Sequence, residues 1–182
     1  MRKLLLHIAS ASIFFTSLIA IGNASEIQPV ANLIDERLSH MKAVALFKEA
    51  NHIPIEDLVQ EERVIKRSLD RAQKLGLDPE TVKPFIDIQM KAAKAVQYRY
   101  RADWLFKGYT IYAPETLDNE RKQIAELGDK LLEIIAQRLK QRIHIEKSDQ
   151  ASFVNSLSAY NLQDEEKLQI FDALHQIKLA QR

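Results

Sequence analysis

Arg37-Leu-Ser-His-Met-Lys-Ala-Val-Ala-Leu-Phe-Lys48 carries the decisive pattern of this chain. Its apolar residues recur at three- and four-residue intervals, the period of an α-helix. Eleven residues at 100° each overshoot three full turns by about 20°, so Arg37 and Lys48 share one face, roughly 16 Å apart along the axis. Met41, Val44 and Ala45 occupy that same side between them. Both cations therefore lie along the stripe that faces a core. A cation buried without an anionic partner costs several kcal/mol. The partner is either a protein carboxylate or a ligand, and two long cations spaced in this way can bracket a small dianion.

Outward from this stretch the helical pattern runs from about Pro29 to Asn51, with Val30, Leu33 and Ile34 extending the stripe. Ile53-Pro-Ile-Glu-Asp57 then primes a second helix, from about Glu56 to Leu75, which Gly76 closes. Glu56, Asp57, Glu61 and Glu62 fall in its first turns, where acids favour the helix dipole by about 0.3–1 kcal/mol. Asp78-Pro79-Glu80 joins an N-cap acid, a proline and a first-turn acid, and starts a third helix reaching about Trp104. Gln89, Ala93 and Gln97 stand four residues apart in one line along it. Residues 107–114 read as a loop, 115–145 as a fourth helix, and 150–160 and 163–181 as two shorter ones separated by Asn161. No alternating strand pattern occurs. The expected fold class is all-α: about six helices, the long ones antiparallel, in a single domain with no sheet.

Composition narrows the function. Arg2 and Lys3 precede an apolar run to Ile21, and Gly22-Asn23-Ala24 supplies small residues for cleavage before Ser25, so residues 1–24 read as a cleaved signal peptide. The mature domain is then 25–182, exported to the periplasm or secreted, with no membrane attachment after cleavage. Of 26 basic and 25 acidic residues, Arg2 and Lys3 leave with the leader, and this near balance argues against a nucleic-acid partner. The mixed run Gln97-Tyr-Arg-Tyr-Arg-Ala-Asp-Trp104 is accordingly read as core packing with surface arginines. The chain has no cysteine, hence no disulfide and no thiolate metal site. His40, His52, His144 and His175 are not paired at helical spacing, so no metal site is expected.

The spacing Arg37-x₁₀-Lys48-x₈-Asp57, with Pro54-Ile-Glu-Asp57, Gly76-Leu-Asp-Pro79 and the segment from Gln89 through Gln97-Tyr98 to Trp104, resembles the secreted γ subclass of the all-helical chorismate mutases. The likeness runs from about Leu33 to Leu127, which suggests a catalytic part at about 30–127 and C-terminal helices over 128–182. The resemblance implies a cofactor-free Claisen rearrangement of chorismate to prephenate in aromatic amino acid biosynthesis, in an exported homodimer whose subunits each complete their own pocket. It implies a carboxylate-binding role for Arg37, and donation to the ether oxygen and a carboxylate by Lys48. Gln97 takes the place of a second donor to the ether oxygen. Asp57 and Glu61 fall where the family meets the ring hydroxyl, and Arg121 where secreted members bring a further arginine. Gln60 stands where the family usually has arginine, and Ala93 where a Ser or Thr hydroxyl is common; both belong to the expected substrate-binding set. The lost guanidinium predicts weaker substrate binding or compensation by Arg63. The competing readings are a catalytically weakened mutase homologue and a non-enzymatic helical binding module of the periplasm, its cations paired internally.

Overall fold

A computed structural model describes residues 27–107 and 112–181. The expected signal peptide and part of the expected 107–114 loop lie outside them. Seven α-helices are found among the described residues: α1 (Gln28–Ser39), α2 (Met41–Ala50), α3 (Leu58–Leu75), α4 (Pro79–Lys107), α5 (Asp118–Lys140), α6 (Gln150–Ser156) and α7 (Asp164–His175). A 3₁₀ turn, Lys147–Asp149, leads into α6. No strand is present among the described residues, and one antiparallel bridge joins Leu77 to Leu179.

The first expected helix is divided at His40. The Ser39 hydroxyl donates to Glu36 O at 2.7 Å, a side-chain bond that competes with the backbone ladder. His40 keeps right-handed dihedrals, and the ladder resumes with Val44 N to His40 O. Across the break, His40 Nδ1 lies 2.5 Å from Glu120 Oε2 on α5. The second expected helix starts at Leu58, later than Glu56: Asp57 caps α3, its side chain accepting from Gln60 N.

Two helices end in the same hydrogen-bond pattern from different residues. At α3, Gly76 takes φ +78°, and Leu77 N donates to Ala72 O. At α5 the left-handed position is Arg142, φ +62°, with Ile143 N donating to Arg138 O. Each is a six-to-one closure around a left-handed residue. Without a glycine to mark it, the second stop falls earlier than the sequence suggested. The short helices also stop early. Asp35 of α1 accepts hydrogen bonds from Ser158 N, Ser158 Oγ and Ala159 N, drawing the chain out of α6. After α7, Asp78 N donates to Lys178 O and Ala180 N to Gly76 O, so this backbone pairs with the α3–α4 turn instead of continuing a helix.

Cross-helix pairs give the packing directions. Glu61–Lys94 and Glu56–Tyr98 set α3 antiparallel to α4. Arg67–Asp129 and Arg71–Glu133 set α3 parallel to α5, while Arg37–Gln89 and Glu49–Arg101 set α1 and α2 parallel to α4. The core joins both ends of the chain. Phe85 of α4 and Phe153 and Phe171 of the C-terminal helices are fully buried in one cluster with Val30 and Ile34 of α1 and Leu131 and Ile135 of α5. Beside this core, α1, α2, α3, α4 and α5 surround a gap.

The two helix stops have opposite expected sensitivities. Gly76→Ala forces a Cβ into the left-handed region and is expected to lower Tm by about 2–6 °C, while Arg142→Gly relieves the same strain and is expected to raise it by about 2–4 °C. Thermal unfolding of the two variants beside the parent checks both signs.

Candidate active site

The gap is a cavity of about 560 Å³, large enough for a small metabolite. Arg37, Lys48, Asp57, Gln60, Glu61, Ala93, Gln97 and Arg121, the eight residues singled out from the sequence, all line it. Five helices or their caps contribute them: α1 gives Arg37, α2 gives Lys48, the start of α3 gives Asp57, Gln60 and Glu61, α4 gives Ala93 and Gln97, and α5 gives Arg121. Met41 and Val44 lie between the two cations on the cavity wall, as the 100° arithmetic requires.

The cations are held without ion pairs. Lys48 is only 6 % exposed, and its Nζ donates to Ile55 O at 2.5 Å. Among the described residues no carboxylate lies within salt-bridge distance of it. Burial lowers its pKa below the ordinary lysine value, with Asp57 and Glu61 opposing the shift and Arg121 adding to it. Arg37 is half-buried, and burial lowers its guanidinium to about 10. Its Nη1 donates to Gln89 Oε1, and its Nε–H is buried with no acceptor. Here too no carboxylate partner is found among the described residues. Of the two partners open at the level of sequence, the protein carboxylate is not found among the described residues.

The acids are occupied elsewhere. Asp57 Oδ1 caps Gln60 N at 3.1 Å, and its Oδ2 lies 3.3 Å from Arg121 Nη2. Glu61 accepts from Asp57 N at 3.3 Å and from Lys94 Nζ at 2.8 Å. The start of α3 is therefore a neutralised network, while Arg37 on α1 and Lys48 on α2 have no ion pair among the described residues.

Gln97 is 5 % exposed; its Nε2 donates to Ala93 O at 3.1 Å and rests 3.4 Å from Met41 Sδ, and its Oε1 is buried without a partner. A thioether is a weak acceptor, so one of the two amide hydrogens is held only loosely and can be given to a stronger acceptor. Gln60 is half-buried on the wall, and Arg63, one turn further along α3, reaches the same cavity. The sequence reading did not assign Gln89 or Lys94 to the site. Gln89 stood out on the α4 line, but its partner lies 52 residues away, and Lys94 meets Glu61 only through the α3–α4 packing. No spacing within one helix signals either contact. The arrangement suits a small dianion with a polar acceptor between its charges.

Comparison with known proteins follows the same line. Residues 28–98 match the family described as chorismate mutase type II. The chain is 46% identical over 169 residues to a secreted chorismate mutase of Yersinia pestis, covering 93% of this chain and 90% of that protein. It is 36% identical over 170 residues to a monofunctional chorismate mutase of Enterobacter agglomerans, covering 92% and 93%. The crystal structure of the secreted Yersinia pestis mutase superposes with a TM-score of 0.76 at 45% identity, over 82% of this chain and 97% of that one.

An unpaired buried charge should cost the fold stability. Lys48→Met keeps the length and removes the charge; its expected effect is a Tm higher by about 2–6 °C, even with the Ile55 hydrogen bond lost. A fall of that size would mean the ammonium stabilises the empty protein.

Proposed function

We propose that this chain, which belongs to the type II chorismate mutase family, binds chorismate in the cavity between Arg37 and Lys48 and stabilises its rearrangement there. The protein is an exported isomerase that converts chorismate to prephenate. In this reaction the ether C–O bond breaks as a C–C bond forms in one cyclic shift of six electrons, with no proton or external electron exchanged. The protein therefore has no bond to make itself. Its task is to hold a compact conformer of a dicarboxylate and to meet the negative charge that develops on the ether oxygen. An acceleration of 10⁶-fold, at the low end for enzymes, requires about 8 kcal/mol.

The observation that carries this reading is the pair of cations, Lys48 buried and Arg37 half-buried, with no carboxylate partner among the described residues. Arg37 holds one substrate carboxylate. Lys48 donates to the ether oxygen and to the second carboxylate. Gln97 gives the ether oxygen the amide hydrogen that otherwise rests on Met41 Sδ. These donors are fixed before the substrate arrives, so little reorganisation is spent in the transition state. Asp57 and Glu61 face the ring hydroxyl, Asp57 in part through its backbone, with Arg121 beside them. Gln60 and Ala93 complete the wall, and Arg63 supplies the guanidinium that the family usually places at position 60. Residues 30–127 form the catalytic part, and the C-terminal helices act as scaffold. Each chain closes its own pocket within a homodimer. The leader 1–24 directs export and is removed.

Chorismate loss followed by absorbance with residues 25–182 tests the activity directly. Lys48→Met is expected to lower kcat/KM by about 10²–10³-fold, the scale of losing one transition-state donor. Arg63→Ala is expected to raise KM about tenfold, and Gln60→Arg to lower it; an unchanged KM in both would remove Arg63 from substrate binding.

The pH profile tests the cations together. A base loses its charge as pH rises, so the depressed pKa values of Arg37, at about 10, and of Lys48 set an alkaline limit. The kcat/KM profile reports the free enzyme and is expected to fall as pH rises toward 10. A bound dianion favours the protonated cations, so the alkaline limb of kcat should lie at higher pH. Coincident limbs would show that neither cation meets the substrate.

A further inference from the structure

We propose that Gln89 is a positioning residue for the substrate: a neutral acceptor that fixes the Arg37 guanidinium without cancelling its charge. This rests on the reading that Arg37 holds a substrate carboxylate. Gln89 is 4 % exposed on α4, one turn before Ala93 and two before Gln97. Its amide is oriented from both sides. Nε2 donates to Phe85 O at 3.2 Å, one turn back in the same helix, which leaves Oε1 to receive Arg37 Nη1. Turning the amide over would set its N–H groups against the guanidinium and its oxygen against a carbonyl, so only one orientation satisfies both neighbours.

The chemical identity of this acceptor decides what Arg37 can do. A carboxylate at the same place would form a buried ion pair and oppose any incoming anion. An apolar residue would leave Nη1 without an acceptor and the guanidinium free to swing. The glutamine amide fixes the direction of the guanidinium and leaves its full positive charge uncompensated.

The opposite edge keeps an unused donor. Arg37 Nε–H has no acceptor, and the residue facing it from α5 is Gly128, where even a Cβ would lie 3.9 Å from Nε. A carboxylate binding side-on to guanidinium uses the Nε–Nη2 edge, the one that Gln89 does not occupy. Gln89 thereby selects both the charge and the direction of the arginine.

Steady-state kinetics on chorismate and thermal unfolding of Gln89→Glu and Gln89→Met test this. Gln89→Glu is expected to raise KM at neutral pH by tenfold or more with kcat changed less than threefold, while Tm holds or rises because a new ion pair forms. Gln89→Met is expected to raise KM by at least threefold, and it carries the test alone should the glutamate variant fail to fold. A role confined to packing would lower Tm and leave KM near the parent value, and either variant folding with the parent's KM overturns the proposal. Arg37→Ala in the same assay separates the two levels. If it raises KM while Gln89→Glu does not, only the role of Gln89 fails; if Arg37→Ala leaves KM unchanged, the assignment of Arg37 fails with it.

Discussion

Positive charge held inside a helical framework without a protein counter-charge is the constraint around which this molecule is arranged. Burying an ammonium or guanidinium group is unfavourable, and the surrounding structure must supply enough apolar contact to carry it. Lys48 gains only a carbonyl and Arg37 only an amide oxygen. Both stay fixed because the helices that bear them are anchored elsewhere: α1 against α5 and α6, α2 against α4. The fully buried phenylalanines Phe85, Phe153 and Phe171 lie in that anchoring core and contribute nothing to the cavity itself.

Charge is distributed unevenly by design of the sequence, and the unevenness defines the chemistry. The first turn of α3 collects Asp57 and Glu61, yet each has a cationic neighbour, Arg121 and Lys94. These pairs leave the acids structurally committed, Asp57 as the helix cap and Glu61 as acceptor for the Asp57 amide. Arg37 of α1 and Lys48 of α2 are answered by neutral oxygens, those of Gln89 and Ile55. A dianionic substrate thus meets attraction from Arg37 and Lys48 and a hydrogen-bonding but electrically balanced surface at the start of α3. For a rearrangement in which charge shifts onto one oxygen and nothing is transferred to the enzyme, such fixed polarity is the main catalytic resource available.

Much of this was legible in the sequence because it is local. The shared side of Arg37 and Lys48, the Gly76 stop and the α4 line of Gln89, Ala93 and Gln97 are legible from local helical pattern. What escaped depends on contacts between distant segments or on side chains acting against their usual role. The division at His40 arises from a serine hydroxyl and a glutamate 80 residues away. The stop at Arg142 uses a residue type with no preference for left-handed backbone. The shortened C-terminal helices yield to Asp35 and to the α3–α4 turn, partners that no pattern within 150–181 reveals. The function of Gln89 was hidden for the same reason, since a glutamine on a helix is ordinarily a solvated polar residue.

The backbone pairing after α7 has a further implication for a protein that is periplasmic or secreted and has no cysteine to cross-link it. Ala180 N to Gly76 O, Asp78 N to Lys178 O and Lys178 N to Thr81 Oγ1 join the residues beyond α7 to the bend between the two helices that carry Asp57 and Gln97. Segments outside regular helices normally open first and invite digestion. Detaching this segment would also loosen the bend between α3 and α4, so resistance to proteolysis and the shape of the cavity depend on one set of hydrogen bonds.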